Sequence, residues 1–138
     1  MTIKFVFLFL AALLAAVLTL TALPVHAETI DVYDDHGGSV AAYNAEWSAH
    51  GQSGAGVRII GPCKSACTVL LLHIPRNRIC VMPNARFGFH MAKRPDMTAL
   101  LWNGYPADIK AWIKTHGGWT PEFAWMRAPD IFRYFKRC

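Results

Sequence analysis

Apolar and polar positions divide this chain into one long hydrophobic run and a series of short alternating segments. The run extends from Phe5 to Leu23 and is closed by Pro24. Beyond it the period changes. Thr29-Ile30-Asp31-Val32-Tyr33 alternates and predicts a short strand. Asp34 to Gly38 is a polar turn, after which Ser39 can cap a helix to about Ala49 with Val40, Tyr43 and Trp47 on one face. A Gly/Ser/Gln loop from Gly51 to Gly56 leads to a second strand, Val57 to Ile60. Ser65 opens a helix to about His73 whose run Val69-Leu70-Leu71-Leu72 is too apolar for a surface and must be buried. Arg78 to Met82 and Ala85 to Phe89 read as two strands joined by Pro83-Asn84. Pro106 begins a helix to about His116, which Gly117-Gly118 ends, and Thr120-Pro121-Glu122 starts a last short helix. Alternating strands and helices, without internal repeats, predict an α/β domain.

The first run changes the meaning of everything after it. One early cation, Lys4, precedes the apolar stretch, and Val25-His26-Ala27 supplies compact residues before a cleavage point. That is the pattern of a secretory signal peptide over residues 1–27. The run is 19 residues long, near the length that spans a bilayer, so the alternative is an uncleaved anchor. Either way residues 28–138 face a periplasmic or extracellular compartment. They number 111, enough for one small domain with one core.

Charge and cysteines narrow the function classes. Residues 28–138 carry 13 basic against 9 acidic side chains, a mild excess that is scattered apart from Arg133 to Arg137. A nucleic-acid role needs a clustered basic face with aromatic platforms, so none is expected. Cys63, Cys67, Cys80 and Cys138 are even in number in an exported chain, which predicts at least one disulfide, with three pairings open. A zinc site is the alternative. Close Cys-x-x-Cys pairs are absent and no His stands at a spacing that completes a tetrahedral set, so no metal or other cofactor is expected.

Candidate chemistry centres on Ser65 in Gly61-Pro62-Cys63-Lys64-Ser65-Ala66-Cys67 and on His90, 25 residues later. A hydroxyl at a strand-to-helix junction meets free N–H groups, and a His at a strand end can reach into a cleft. Gly37-Gly38 lets backbone approach a substrate without a Cβ in the way. The Gly38 and Ala66 N–H groups are the candidate oxyanion donors. Singly, each has a plainer explanation: an N-cap serine, a surface histidine, a turn. Lys64 beside Ser65 raises a Ser–Lys dyad, but adjacent side chains usually point apart.

Around these residues the sequence resembles the Clp protease proteolytic subunit and the wider crotonase-like (ClpP/crotonase) fold. Ser65, Pro83-Asn84, Arg86 and His90 follow that family's order, Asp35-His36-Gly37-Gly38 is similar to its oxyanion segment, and Arg127-Ala128-Pro129-Asp130 to a later one. The chain looks closest to short exported members with a Cys-x-Ser-Ala-Cys signature. The resemblance implies a truncated ββα spiral domain lacking the first strand–helix unit. It implies Ser65 as nucleophile, His90 as general base, and Gly38 and Ala66 as oxyanion donors. The family's acid falls on Phe123, which cannot serve, so Glu122 is the expected third member and Asp130 the fallback. Family peptidases of the Clp type work with an ATP-driven unfoldase. An export compartment lacks ATP and this chain has no P-loop, so no ATPase partner is expected. A domain this small leaves disulfides or homo-oligomer formation to complete its core.

Three functions follow. The first is a serine hydrolase, peptidase-like, acting on peptides or small acyl substrates. The second is a catalytically silent, disulfide-stabilised binding or structural module of the same fold. The third is a crotonase-type acyl-CoA enzyme, disfavoured because CoA thioesters are not expected outside the cytoplasm.

Overall fold

A computed structural model describes residues 27–138. The expected leader therefore lies, but for Ala27, outside the described residues. Among the described residues no helix is long and apolar enough to cross a membrane.

The chain forms a mixed α/β domain on two sheets. In the first, β1 (Thr29–Val32), β2 (Gly56–Ile59), β4 (Ile79–Val81) and β7 (Lys136–Arg137) run parallel in the order β1-β2-β4-β7. Ile30 stands opposite Val57, and Ile59 opposite Val81. The second sheet has β5 (Arg86–Phe89) at its centre, parallel to β3 (Pro62–Lys64) and antiparallel to β6 (Ala124–Arg127). An isolated parallel bridge between Asp35 and Cys63 extends β3 toward the first crossover.

Chain direction repeats a motif. After β2, the chain leaves the first sheet at Gly61 and enters the second as β3. Two helical segments follow, a 3-10 turn (Ser65–Val69) and α2 (Leu70–His73). After β4 it crosses to β5 and then to α3 (Pro95–Gly104) and α4 (Ala107–Thr115). The first unit does the same with β1, the Asp35 bridge and α1 (Val40–Gln52), which Ser39 caps by accepting from the Ala42 N–H at 3.3 Å. Val57, Ile59, Leu70, Val81, Phe87, Phe89, Ile113 and Met126 fill the space between, all at or below 2% exposure. The apolar run after Ser65 lies inside this core, as its composition requires.

Two disulfides close the structure, Cys63–Cys67 and Cys80–Cys138. The second ties the chain's end to β4, where β7 pairs.

Three expectations need correction. A helix forms over Pro95–Gly104 where none was expected; Pro95 at its first turn and Asp96 beside it are ordinary start signals, masked by the polar Lys93-Arg94-Pro95-Asp96 run. The helix expected from Thr120 is absent. The chain bends through Trp119 to Glu122 and then becomes β6, because the exposed edge of β5 takes a partner and Ala124 and Met126 fill the core beneath it. The helix opening at Ser65 begins as a 3-10 turn rather than as α-helix.

Candidate active site

Four loops converge at one end of the second sheet. β3 delivers Ser65, β5 delivers His90, the β1–α1 turn delivers Gly37-Gly38, and the approach to β6 delivers Pro121 to Phe123. Parallel pairing of β3 with β5 sets Lys64 opposite Gly88, so the residues that follow each strand emerge side by side. Ser65 Oγ and His90 Nε2 are 2.8 Å apart.

Ser65 is the one non-glycine residue with positive φ among the described residues, at 56°. That left-handed conformation costs a β-carbon-bearing residue about 1–3 kcal/mol and persists only where surroundings impose it. Here they do. The Thr68 hydroxyl donates to the Ser65 carbonyl at 2.6 Å, and the Cys63–Cys67 bridge clamps the residues on either side.

Gly37 sits directly over this turn. A Cβ built on it would lie 2.7 Å from the Lys64 carbonyl oxygen and 2.8 Å from both the Ala66 nitrogen and the Ser65 Cβ, and its φ is +75°. Only glycine fits. The Asp35 carboxylate accepts from the Gly37 N–H at 2.8 Å and from the Tyr43 hydroxyl at 2.7 Å. Burial and that carboxylate hold the Tyr43 hydroxyl up, at a pKa of about 12. The Gly38 N–H makes no hydrogen bond among the described residues. The Ala66 N–H belongs to the first turn of the 3-10 segment, where N–H groups have no intrahelical partner. Both are available to a ligand oxygen.

The orienting partner of His90 is not a carboxylate. His90 Nδ1 lies 3.1 Å from the Pro121 carbonyl oxygen. A carbonyl only accepts, so Nδ1 carries the proton, and neutral Nε2 accepts from the Ser65 hydroxyl. Glu122, expected as the third member, makes no hydrogen bond to His90; its backbone carbonyl meets the Thr120 hydroxyl at 3.5 Å. Asp130, the fallback, lies elsewhere. It accepts from Trp112 Nε1 at 3.4 Å and stands 3.6 Å from His116 Nε2 and from Arg133 Nη1. Phe123, the position where the resemblance would have put an acid, packs against His90 with ring centroids 4.2 Å apart and planes inclined by 33°. Its neighbours are Trp125 at 5.3 Å and Lys64 Nζ at 5.7 Å. Lys64 thus points to the aromatic face and makes no hydrogen bond to Ser65, against a Ser–Lys dyad.

A cleft of about 320 Å³ opens beside the pair. Gly38, Ser65 and His90 line it, together with apolar Val40, Ala41 and Met97 and the cations Lys93 and Arg94. Among the described residues no group of His, Cys, Asp and Glu side chains could hold a metal ion. The Pro121 carbonyl left no trace in the sequence, since any residue supplies one. Met97 belongs to the helix that was not foreseen, and Lys93 and Arg94 to the segment that leads into it.

No protein-family model matches the chain, and no curated protein does. Among solved structures it is similar to a point mutant of ClpP1 from Listeria monocytogenes, at 12% identity and a TM-score of 0.41, covering 78% of this chain and 86% of that one. A likeness this coarse says nothing about activity.

Proposed function

We propose that this chain is an exported Ser–His hydrolase of peptides or small acyl substrates, on a truncated ClpP/crotonase-like ββα domain released from a signal peptide at residue 27. One observation carries the proposal: the Ser65 hydroxyl donates to His90 Nε2 at 2.8 Å from a strained backbone held over a glycine turn. Strain kept at a polar residue in a cleft points to use rather than to packing. The repeated step from first sheet to second sheet to helix supports the ββα assignment, and two disulfides suit an oxidising compartment.

The chemistry follows from the geometry. Ser65 Oγ attacks the acyl carbon and its proton passes to His90 Nε2. The oxyanion that develops is met by the Gly38 and Ala66 N–H groups. His90 then returns the proton to the leaving group, the scissile bond breaks, and the acyl group stays on Ser65. Water, deprotonated by the same imidazole, releases it. The Pro121 carbonyl holds the productive tautomer throughout. It lacks the full negative charge that a carboxylate sets against the imidazolium, and replacing that carboxylate in a full triad costs about 10⁴ in turnover. Slow turnover is the expectation.

The same carbonyl is what favours the second reading, a silent disulfide-stabilised module. Labelling with a fluorophosphonate probe separates the two. The hydrolase forms a Ser65 adduct that Ser65→Ala and His90→Ala both abolish in folded protein. A folded wild-type protein that takes no label, or labels equally after Ser65→Ala, leaves the silent module.

A further inference from the structure

Charge around the cleft is one-sided. Residues 28–138 contain nine carboxylates, and none lines the cleft. Asp35 is engaged by Gly37 and Tyr43 and Asp96 by Arg94; the exposed Glu122, between Pro121 and Phe123, is outside the cleft lining and is the one nearby carboxylate against four cations. Three cations flank the catalytic pair, and a fourth, Arg86, lies further along the same sheet face at the start of β5. Lys93 and Arg94 line the cleft. On the other side Lys64 Nζ lies over the ring of Phe123, which covers His90, and the Arg86 guanidinium lies 5.2 Å from the centroid of Trp125, the next ring along. Of the four only Arg94 has a carboxylate partner among the described residues.

This arrangement is more than scattered solvated charge. Lys64, Arg86, Phe123 and Trp125 occupy one face of the second sheet, and Trp125 can lie flat there because Gly88 beneath it has no side chain. A Cβ on Gly88 would stand 2.9 Å from the indole and 2.8 Å from the Lys64 Cβ. The two aromatic rings shield one side of each cation from water while leaving the other side free for a ligand. Cations with like-signed neighbours and no internal counter-charge create a positive potential that an incoming anion relieves.

We infer that the site takes acyl substrates carrying negative charge on both sides of the scissile bond, of the acidic-peptide class. A small apolar side chain would be seated against Val40, Ala41 and Met97, one carboxylate would meet Lys93 on the cleft side, and a second would meet Lys64 and Arg86 on the aromatic side. This rests on the hydrolase proposal for which bond is cut, but not for what binds.

Binding tests it apart from turnover. The full 28–138 protein carrying Ser65→Ala is titrated with acetyl-Glu-Ala-Ala-Glu-amide, and with its Gln and Lys counterparts, followed by NMR at His90. The acidic peptide is expected to bind about tenfold more tightly than the Gln peptide at low salt, an advantage that shrinks by 0.5 M salt. Lys64→Glu with Lys93→Glu should transfer the preference to the Lys peptide, with an unchanged amide spectrum elsewhere showing the fold intact. Equal binding of the acidic and Gln peptides, no binding by either, or a preference unmoved by the double reversal overturns the inference. Selective acidic-peptide binding by a protein whose wild type takes no fluorophosphonate label would sink the hydrolase proposal and leave this one standing.

Discussion

Tyr105 and Ser65 are joined through one intervening hydroxyl. The Thr68 Oγ1–H is committed to the Ser65 carbonyl at 2.6 Å, so the Tyr105 hydroxyl, also 2.6 Å from Thr68 Oγ1, must be the donor in the second bond. Tyr105 is 2% exposed and lies at the end of α3. The strained turn that presents Ser65 is thereby anchored to a helix pair the sequence did not connect with it.

Breaking this relay should loosen the turn more than it weakens the fold. Tyr105→Phe is expected to cost about 1 kcal/mol of stability and to slow probe labelling of Ser65 by roughly 10-fold or more, measured well below the melting temperature. Thr68→Ser should restore most of the labelling rate that Thr68→Val loses. Labelling unchanged in stable Tyr105→Phe protein would reduce the relay to packing.

The same tyrosine sets an alkaline limit. Burial holds the Tyr105 hydroxyl well above the usual tyrosine range. The folded state therefore favours the neutral phenol. Its contribution is complete below the unfolded value of about 10 and is lost as pH rises above it toward the folded value. Tyr105→Phe should flatten the fall in stability above pH 10 in a pH series of urea titrations.

Gly37→Ala should be severe. Its Cβ would meet backbone atoms of Lys64 and Ala66 that cannot yield, on top of a positive φ. A loss of about 2 kcal/mol or more is expected, with labelling lost even where the protein stays folded. Gly38→Ala, whose Cβ meets nothing nearer than a Tyr43 carbon at 3.6 Å, should be far milder in stability.

The two disulfides should separate by function. Cys80–Cys138 closes a loop of sequence separation 58 and Cys63–Cys67 one of separation 4. Chain-entropy arguments assign about 4 kcal/mol to the first and about 2 kcal/mol to the second. Cys80→Ala with Cys138→Ala should thus lower the melting temperature more. Cys63→Ala with Cys67→Ala should lower Ser65 labelling more, since that bridge brackets the serine. Equal labelling in the two double variants would argue against a clamp.

Glu122→Gln should leave labelling within about twofold of wild type, because a carbonyl rather than this carboxylate holds His90 Nδ1. Phe123→Ala should slow it by removing the ring against which the imidazole lies. A large loss in Glu122→Gln would restore the carboxylate to the mechanism.

Periodicity alone determined the elements whose burial is local. The strands β1, β2, β4 and β5, the capped helix α1 and the buried run after Ser65 all follow from alternation, a cap residue or an apolar stretch that had to be hidden. Residue order alone also singled out Ser65, His90 and the Gly37-Gly38 turn. Tertiary structure decided what depends on partners far along the chain. β6 is a strand because the edge of β5 takes one, not because Ala124 to Arg127 says so. Its approach puts the Pro121 carbonyl, not the Glu122 carboxylate, against His90: a strand entering that edge presents backbone to the imidazole and turns the next side chain outward. Cysteine pairing, the Thr68–Tyr105 relay and the cations shared between two flanks are likewise properties of proximity, which a single sequence does not carry.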